Sequence, residues 1–200
     1  MAKDKQTTKR IALVCIAVLA CAGIGRALYA NRWSVWPKRF AVVEPGWLYR
    51  GGQVDAGLIE GLVDEYNIEG ILALTWLRPD SPDEAAELDL ARRRDLELEI
   101  IPMPGDGIAD FEKLDRAADW IDEHHGRPVF VHCATGVNLT DAAIVAYRVK
   151  HCGWPLQEAL AEAKRYGLLD RRGKLTEHLI RYYKQHLPPG IRSGETIDPG

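Results

Sequence analysis

Short apolar runs alternate with helix-like stretches from Phe40 onward, and this alternation constrains the fold more than any other feature of the chain. Runs that suit buried strands occur at residues 40–43, 47–50, 70–75, 96–103 and 129–132. Stretches typical of helices occur at residues 55–66, 81–94, 110–121, 140–151, 155–166 and 174–186. The first two runs flank Glu44-Pro45-Gly46 and predict a hairpin. Strands separated by helices require parallel crossovers, so the sequence predicts an α/β sandwich whose central, mostly parallel sheet has four or five strands.

The composition is that of one globular domain. Hydrophobic residues make up 46% and charged residues 28% of the 200 positions, which excludes a disordered or collagen-like chain. The net charge of −3 and the pI near 6.1 argue against nucleic-acid binding, which requires a basic face. Four cysteines without a Cys-x-x-Cys pair exclude a disulfide scaffold and give no sign of a metal site.

The N-terminus combines a basic head with an uncharged apolar run from Ile11 to Gly25. This layout predicts either a signal anchor, in which residues 11–30 hold the protein in a membrane, or a cleaved signal peptide, and we favour the anchor. Four basic residues lie on each side of the run, so the charge bias toward a domain outside the cytoplasm is weak. Residues 31–39 then form a linker, 40–187 the folded domain and 188–200 a disordered tail.

One short segment, residues 131–140, has the features of an anion-binding site. The last predicted strand ends in His132-Cys133, a loop containing Gly136 follows, and the next helix begins near Thr140. Successive backbone N–H groups and a helix N-terminus then point at one spot, and this arrangement binds anions. The positive end of the helix dipole should lower the pKa of the Cys133 thiol, and Thr140 is placed to donate a hydrogen bond to the sulfur.

This segment resembles the signature of the cysteine-dependent protein tyrosine phosphatases, which reads His-Cys, five residues, Arg, then Ser or Thr. His132, Cys133, Gly136 and Thr140 stand at the positions of that signature. Leu48-Tyr-Arg-Gly-Gly-Gln53 is also similar to the entry segment of the compact, atypical dual-specificity group. The resemblance follows the order of elements over residues 40–187.

The resemblance implies a phosphatase-type three-layer sandwich and a hydrolase that needs no cofactor. Cys133 would be the nucleophile and would form a phosphocysteine. The phosphate-binding loop would consist of His132, Ala134, Thr135, Gly136, Val137, Asn138, Leu139 and Thr140. The implied partners are phosphorylated proteins, carrying phosphotyrosine or phosphoserine/threonine, or small phosphate esters.

An aspartic acid on a separate loop would protonate the leaving oxygen. Asp106 lies in a Gly-Asp-Gly loop after the preceding strand, where the family keeps its acid. Asp110 is close by, but its side chain can cap the next helix. The sequence therefore favours Asp106 as the acid and keeps Asp110 as an alternative.

Leu139 stands where the signature has arginine. An arginine there grips two phosphate oxygens, and leucine offers no donor. Loss of an arginine from comparable phosphoryl-transfer sites costs about 10³–10⁵ in rate, or roughly 4–7 kcal/mol of barrier. Either another arginine reaches the site, with Arg50, Arg78 and Arg148 as candidates, or turnover is impaired.

Three functional hypotheses follow. The first is a phosphatase that is tethered to a membrane or exported. The second is a pseudophosphatase that binds phosphorylated partners without turning them over. Both hypotheses imply the same fold, and they differ only in whether Leu139 prevents turnover. The third, a rhodanese-like sulfurtransferase, also places a cysteine in an anion-binding loop, but the five-residue spacer and Thr140 fit a phosphatase better.

Overall fold

The computed structural model describes residues 16, 18–26 and 36–186. The strands are β1 (Ala41–Glu44), β2 (Leu48–Gly52), β3 (Gly70–Ala73), β4 (Glu97–Ile100) and β5 (Val129–Cys133). The helices that follow β2 are α1 (Ile59–Tyr66), α2 (Pro82–Arg94), α3 (Phe111–Glu123), α4 (Asn138–Lys150), α5 (Leu156–Tyr166) and α6 (Lys174–His186).

The five strands form one sheet in the order β1-β2-β5-β3-β4. β1 and β2 pair antiparallel as the predicted hairpin, whereas β2, β5, β3 and β4 run parallel. The chain therefore has the predicted α/β architecture, and β5 lies in the middle of the sheet.

Two hydrophobic clusters cover the two faces of the sheet, and they make the fold three-layered. Alternate side chains of β5 point to opposite faces: Val129, Val131 and Cys133 join the larger cluster, which includes residues of α3, α4, α5 and α6. Phe130 belongs to the smaller cluster, which includes residues of α1 and α2. This alternation sends the side chain of His132 toward the face opposite that of Cys133.

Some elements begin or end at other residues than predicted. α4 begins at Asn138, so Leu139 lies in its first turn rather than in the preceding loop. β4 ends at Ile100, because two prolines follow within four residues and cannot donate to a strand ladder. α1 begins four residues after Asp55, whose carboxylate accepts from the Gly57 N–H at 2.9 Å in a turn.

The membrane prediction for residues 11–30 is contradicted. Of this segment, only residues 16 and 18–26 are described, and they are helical and exposed. No helix within the described ranges combines the length and the apolar character needed to cross a membrane. The rest of residues 11–30, on which the alternative prediction of a cleaved signal peptide also depends, lies outside the described residues, as do residues 31–35 and the predicted tail.

The described residues fall into two units, one ending at Trp36 and the other beginning at Pro37. The predicted division into residues 1–30, 31–39, 40–187 and 188–200 stays a prediction.

Candidate active site

Cys133 is the last residue of the central strand. Its neighbour on β2 is Gly52, and the residue before it, His132, pairs with both Gly51 of β2 and Ala73 of β3. The carboxyl ends of parallel strands open at one edge of a sheet, where ligands bind in α/β proteins. Cys133 is buried there, with 2% of its surface exposed.

The loop after Cys133 curves around the sulfur. The Gly136 N–H donates to Sγ at 3.3 Å. Gly136 has a φ of +69°, and a Cβ added to it would lie 2.5 Å from backbone atoms of both Gly51 and Gly52. Only glycine allows the loop to approach β2 this closely in a left-handed conformation.

Donors converge on the Cys133 sulfur and change its acidity. Burial raises the pKa of the thiol, but the Thr140 hydroxyl and the backbone N–H groups of Thr135, Val137 and Gly136 stabilise the thiolate, and the pKa is lowered overall. The Thr140 hydroxyl also lies 3.5 Å from the Gly51 carbonyl oxygen. Its single hydrogen serves one acceptor at a time, and the charged thiolate is the stronger one.

His132 belongs to a buried polar chain on the other face of the sheet. Its Nε2 lies 2.8 Å from Glu87 Oε1, and Gln53 Nε2 donates to Glu87 Oε2 at 2.6 Å. Burial opposes the charged imidazolium, but Glu87 and the Cys133 thiolate favour it, and the pKa of His132 is raised. Sequence reasoning missed Glu87; strand alternation at His132 was the available signal, since it directs that side chain toward α2.

Leu139 is buried in the same apolar cluster as Cys133, with 6% of its surface exposed. Two of the three arginines proposed as substitutes are held elsewhere. Arg78 makes two side-chain hydrogen bonds to Glu84 and is mostly exposed. Arg148 is buried against Glu162, which it contacts through Nε and Nη2.

Arg50, the third candidate, contacts the loop from its outer side. It is fully buried, and its Nη2 donates to the Gly136 carbonyl oxygen at 2.7 Å. Its Nη1 forms an ion pair with Asp141, a buried residue in the first turn of α4, and its guanidinium lies 4.8 Å from the centre of the Tyr166 ring. Arg50 Nε and Asp141 Oδ2 are both buried, and neither has a hydrogen-bond partner among the described residues.

Asp106 and Asp110 are both exposed, and the loop of Asp106 contacts the start of α4. Asn138 Nδ2 donates to the Asp106 carbonyl oxygen at 3.5 Å, and Asn138 Oδ1 accepts from the Leu169 N–H at 3.0 Å. The Asp106 carboxylate accepts from the Ile108 N–H at 3.0 Å. Asp110 occupies the cap position of α3, but its side chain makes no capping bond.

Arg39 was assigned to a linker, and sequence reasoning missed its position at the site. Its Nη1 donates to the Thr135 carbonyl oxygen at 2.8 Å. Its φ of +48° is unusual for a residue with a side chain, and nothing in the local sequence predicts it. Within residues 16, 18–26 and 36–186, no three His, Cys, Asp or Glu side chains are grouped to hold a metal ion.

The predicted loop residues thus lie together at the end of β5. Ala134 and Thr135 are exposed, Val137 is buried, and Asn138 is partly buried. The arrangement offers a thiol whose pKa is lowered, converging backbone donors and a helix N-terminus at one edge of the sheet.

Comparison with known proteins finds phosphatase relatives, although no family model matches the chain. Dual specificity protein phosphatase 1 of Arabidopsis thaliana is 30% identical over 129 residues, which cover 62% of this chain and 58% of the relative. The chain therefore spans less than two thirds of the length of that relative.

Solved phosphatase structures share the fold. Tk-PTP in its active form has a TM-score of 0.61 at 21% identity, with coverage of 75% of this chain and 99% of its own. The core catalytic domain of the PP-IP phosphatase SIW14 from S. cerevisiae has a TM-score of 0.59 at 18% identity (73% and 86% covered). Human DUSP28 has a TM-score of 0.56 at 18% identity, with 74% and 95% covered. The chain resembles the compact, atypical dual-specificity phosphatases of the cysteine-dependent protein tyrosine phosphatase superfamily and has their fold, as its sequence predicted.

Proposed function

We propose that this protein hydrolyses phosphate monoesters through a phosphocysteine on Cys133. The observation that carries the proposal is the convergence of the Thr140 hydroxyl and three loop N–H groups on one sulfur whose pKa is lowered. A thiolate is the nucleophilic form of cysteine, and the same donors suit the oxygens of a phosphoryl group. The substrate class is a phosphorylated protein, on tyrosine or serine/threonine, or a small phosphate ester.

The reaction has two displacement steps. The Cys133 thiolate forms an S–P bond while the bond from phosphorus to the leaving oxygen breaks, and a carboxylic acid donates its proton to that oxygen. Water then attacks phosphorus, its proton returns to the carboxylate, the S–P bond breaks, and inorganic phosphate leaves with the thiolate restored.

We assign the acid to Asp106, with Asp110 as the alternative. The loop of Asp106 is joined to the start of α4 through Asn138, whereas Asp110 has no such link in the described part of the chain. The Asp106 carboxylate must leave the Ile108 N–H to reach a leaving group. Aspartate-to-asparagine changes at these two positions separate the assignments: loss of the acid slows hydrolysis of an alkyl phosphate far more than that of p-nitrophenyl phosphate, because p-nitrophenolate needs little protonation.

Leu139 limits this activity. A signature arginine strengthens its grip as the transition state forms, and its absence costs on the order of 10³–10⁵ in rate. The backbone donors remain, so a phosphoryl group still binds. A pseudophosphatase that recognises phosphorylated partners is the second candidate function, and the buried apolar side chain of Leu139 favours it.

Hydrolysis of p-nitrophenyl phosphate by the full chain tests the proposal. We expect slow turnover by the parent, none by Cys133→Ser, and a large gain for Leu139→Arg that Cys133→Ser abolishes. Leu169→Arg is the matched control. It adds an arginine near the loop, at an exposed residue whose backbone N–H contacts Asn138, but not at the signature position.

The outcomes separate the candidates. Robust parent turnover that depends on Cys133 rejects the pseudophosphatase. Parent protein that binds a phosphotyrosine peptide without detectable turnover supports it. A Leu139→Arg variant that is folded yet no faster than Leu169→Arg rejects our placement of the phosphate-binding loop.

A further inference from the structure

Two arginines contact consecutive carbonyl groups on the outside of the phosphate-binding loop. Arg39 Nη1 donates to the Thr135 carbonyl oxygen at 2.8 Å, and Arg50 Nη2 donates to the Gly136 carbonyl oxygen at 2.7 Å. The arginines lie 96 and 86 residues before their acceptors, and neither contact belongs to the family signature described above.

Each of these carbonyls shares a peptide unit with an N–H that faces the sulfur. The Thr135 carbonyl is joined to the Gly136 N–H, which donates to Cys133 Sγ at 3.3 Å. The Gly136 carbonyl is joined to the Val137 N–H, which also stabilises the thiolate. Two hydrogen-bond paths therefore lead from a guanidinium group through one planar peptide unit to the Cys133 sulfur. Successive hydrogen bonds along such a path polarise one another.

We propose that Arg39 and Arg50 are positioning residues, which orient two loop peptides and transmit positive charge through them to the Cys133 sulfur and to a bound oxyanion. The two guanidinium groups thereby supply part of the positive charge that an arginine at position 139 would bring and that Leu139 does not. The inference rests on the proposed function only in taking Cys133 as the reacting residue.

The two arginines differ in how much charge they contribute. Arg50 is buried and paired with Asp141, which neutralises it. Arg39 is exposed, and no carboxylate within the described ranges forms an ion pair with it. Arg39 is therefore less fully compensated than Arg50, although it also interacts electrostatically with Asp141 and is screened by solvent.

The backbone beside Arg39 is fixed against β2. The Gly52 N–H donates to the Lys38 carbonyl oxygen at 2.7 Å. A Cβ on Gly52 would lie 3.0 Å from the Lys38 Cβ and 2.8 Å from the Thr135 carbonyl carbon, so this segment, β2 and the loop pack closely at one point. The left-handed φ of Arg39 is held by these contacts.

Titration of the Cys133 thiolate tests the proposal without requiring turnover. Thiolate ultraviolet absorbance is recorded against pH for the full chain, and the matching Cys133→Ser protein is subtracted so that the other cysteines cancel. We expect Arg39→Gln to raise the Cys133 pKa by about 0.5 unit, the size expected of one exposed charge, and the shift to shrink in high salt. Arg39→Lys, which keeps a charged donor, should recover part of the shift.

Arg116→Gln is the matched control, since Arg116 is an exposed arginine on α3 that pairs with Glu99. The proposal is overturned if Arg39→Gln leaves the Cys133 pKa unchanged, if Arg116→Gln shifts it equally, or if Arg39→Lys behaves like Arg39→Gln. Because the readout is a thiol titration, a protein that hydrolyses no phosphate ester still gives a decisive answer.

Discussion

Asp141→Asn should weaken the fold and strengthen anion binding at the same time. Asp141 and Arg50 are both buried, and the substitution removes the carboxylate that neutralises the arginine. Burial raises the pKa of Asp141, Arg50 lowers it, and the pKa is raised overall, so the ionised carboxylate is already held at some cost. Removing one partner of a buried pair costs about 3–5 kcal/mol, and we expect about 3 because asparagine still accepts from Arg50.

The gain in anion affinity follows from the path between Arg50 and the site. Its Nη2 lies 2.7 Å from the Gly136 carbonyl oxygen. The Gly136 carbonyl shares a peptide unit with the Val137 N–H, which would donate to a bound anion. The distance from the Arg50 guanidinium to that anion is therefore roughly 8 Å. At that distance and an effective dielectric constant of about 20, a full charge stabilises the anion by roughly 2 kcal/mol. Solvent near the bound anion reduces this to about 1.4 kcal/mol, which corresponds to a tenfold lower Kd.

Tungstate binding measured by calorimetry, with urea unfolding of the same samples, checks both effects. Asp89→Asn is the control, because it makes the same charge change on an exposed residue of α2 that pairs with Arg93. Our reasoning is refuted if folded Asp141→Asn binds tungstate no more tightly than Asp89→Asn does.

Two further predictions concern the turn at Gly136 and the buried pair of His132 and Glu87 on the other face of the sheet. Gly136→Ala should cost at least about 3 kcal/mol of unfolding free energy and abolish tungstate binding, because the added Cβ meets the backbone of β2. Gly46→Ala is the control: Gly46 also has a positive φ of +88°, but no atom lies within 4 Å of the added Cβ, so the cost should be only about 1–2 kcal/mol. Equal costs in urea unfolding would contradict the close approach at Gly136. Glu87 raises the pKa of His132, and this stabilises the fold below pH about 6.5 and is lost as the pH rises through the folded-state value. In a Cys133→Ser background, the unfolding free energy should therefore fall above that pH with Glu87 present and lose this dependence in Glu87→Gln, and parallel pH profiles would contradict the pairing.

The central features of the fold could be predicted because they depend on local patterns. The apolar run before Cys133 is long enough for a strand, and alternation with helices implies parallel pairing, so the sequence places the sulfur at the carboxyl end of a buried strand. Helix ends were less predictable. The turn at Gly136 lets α4 begin at Asn138 rather than at Thr140, and Leu139 thereby lies in a helix.

The contacts behind the site could not be predicted because their partners are remote in sequence. Arg39 and Thr135 are 96 residues apart, and Glu87 and His132 are 45 apart. Arg50 was a candidate for the missing guanidinium, but its pairing with Asp141 depends on how β2 packs beside α4. Which of these side chains meet depends on how the helices and the segment before β1 pack against the sheet.

The contact between Arg39 and the loop also affects where the phosphatase-like folded unit starts. By strand boundaries, the unit would begin at Ala41, and a chain shortened to that residue would keep every strand of the sheet. It would lose the Lys38 carbonyl that holds Gly52 and the guanidinium on Thr135. Truncation for biochemical work should therefore spare Pro37–Phe40, because a fragment that folds without them would present an altered thiol.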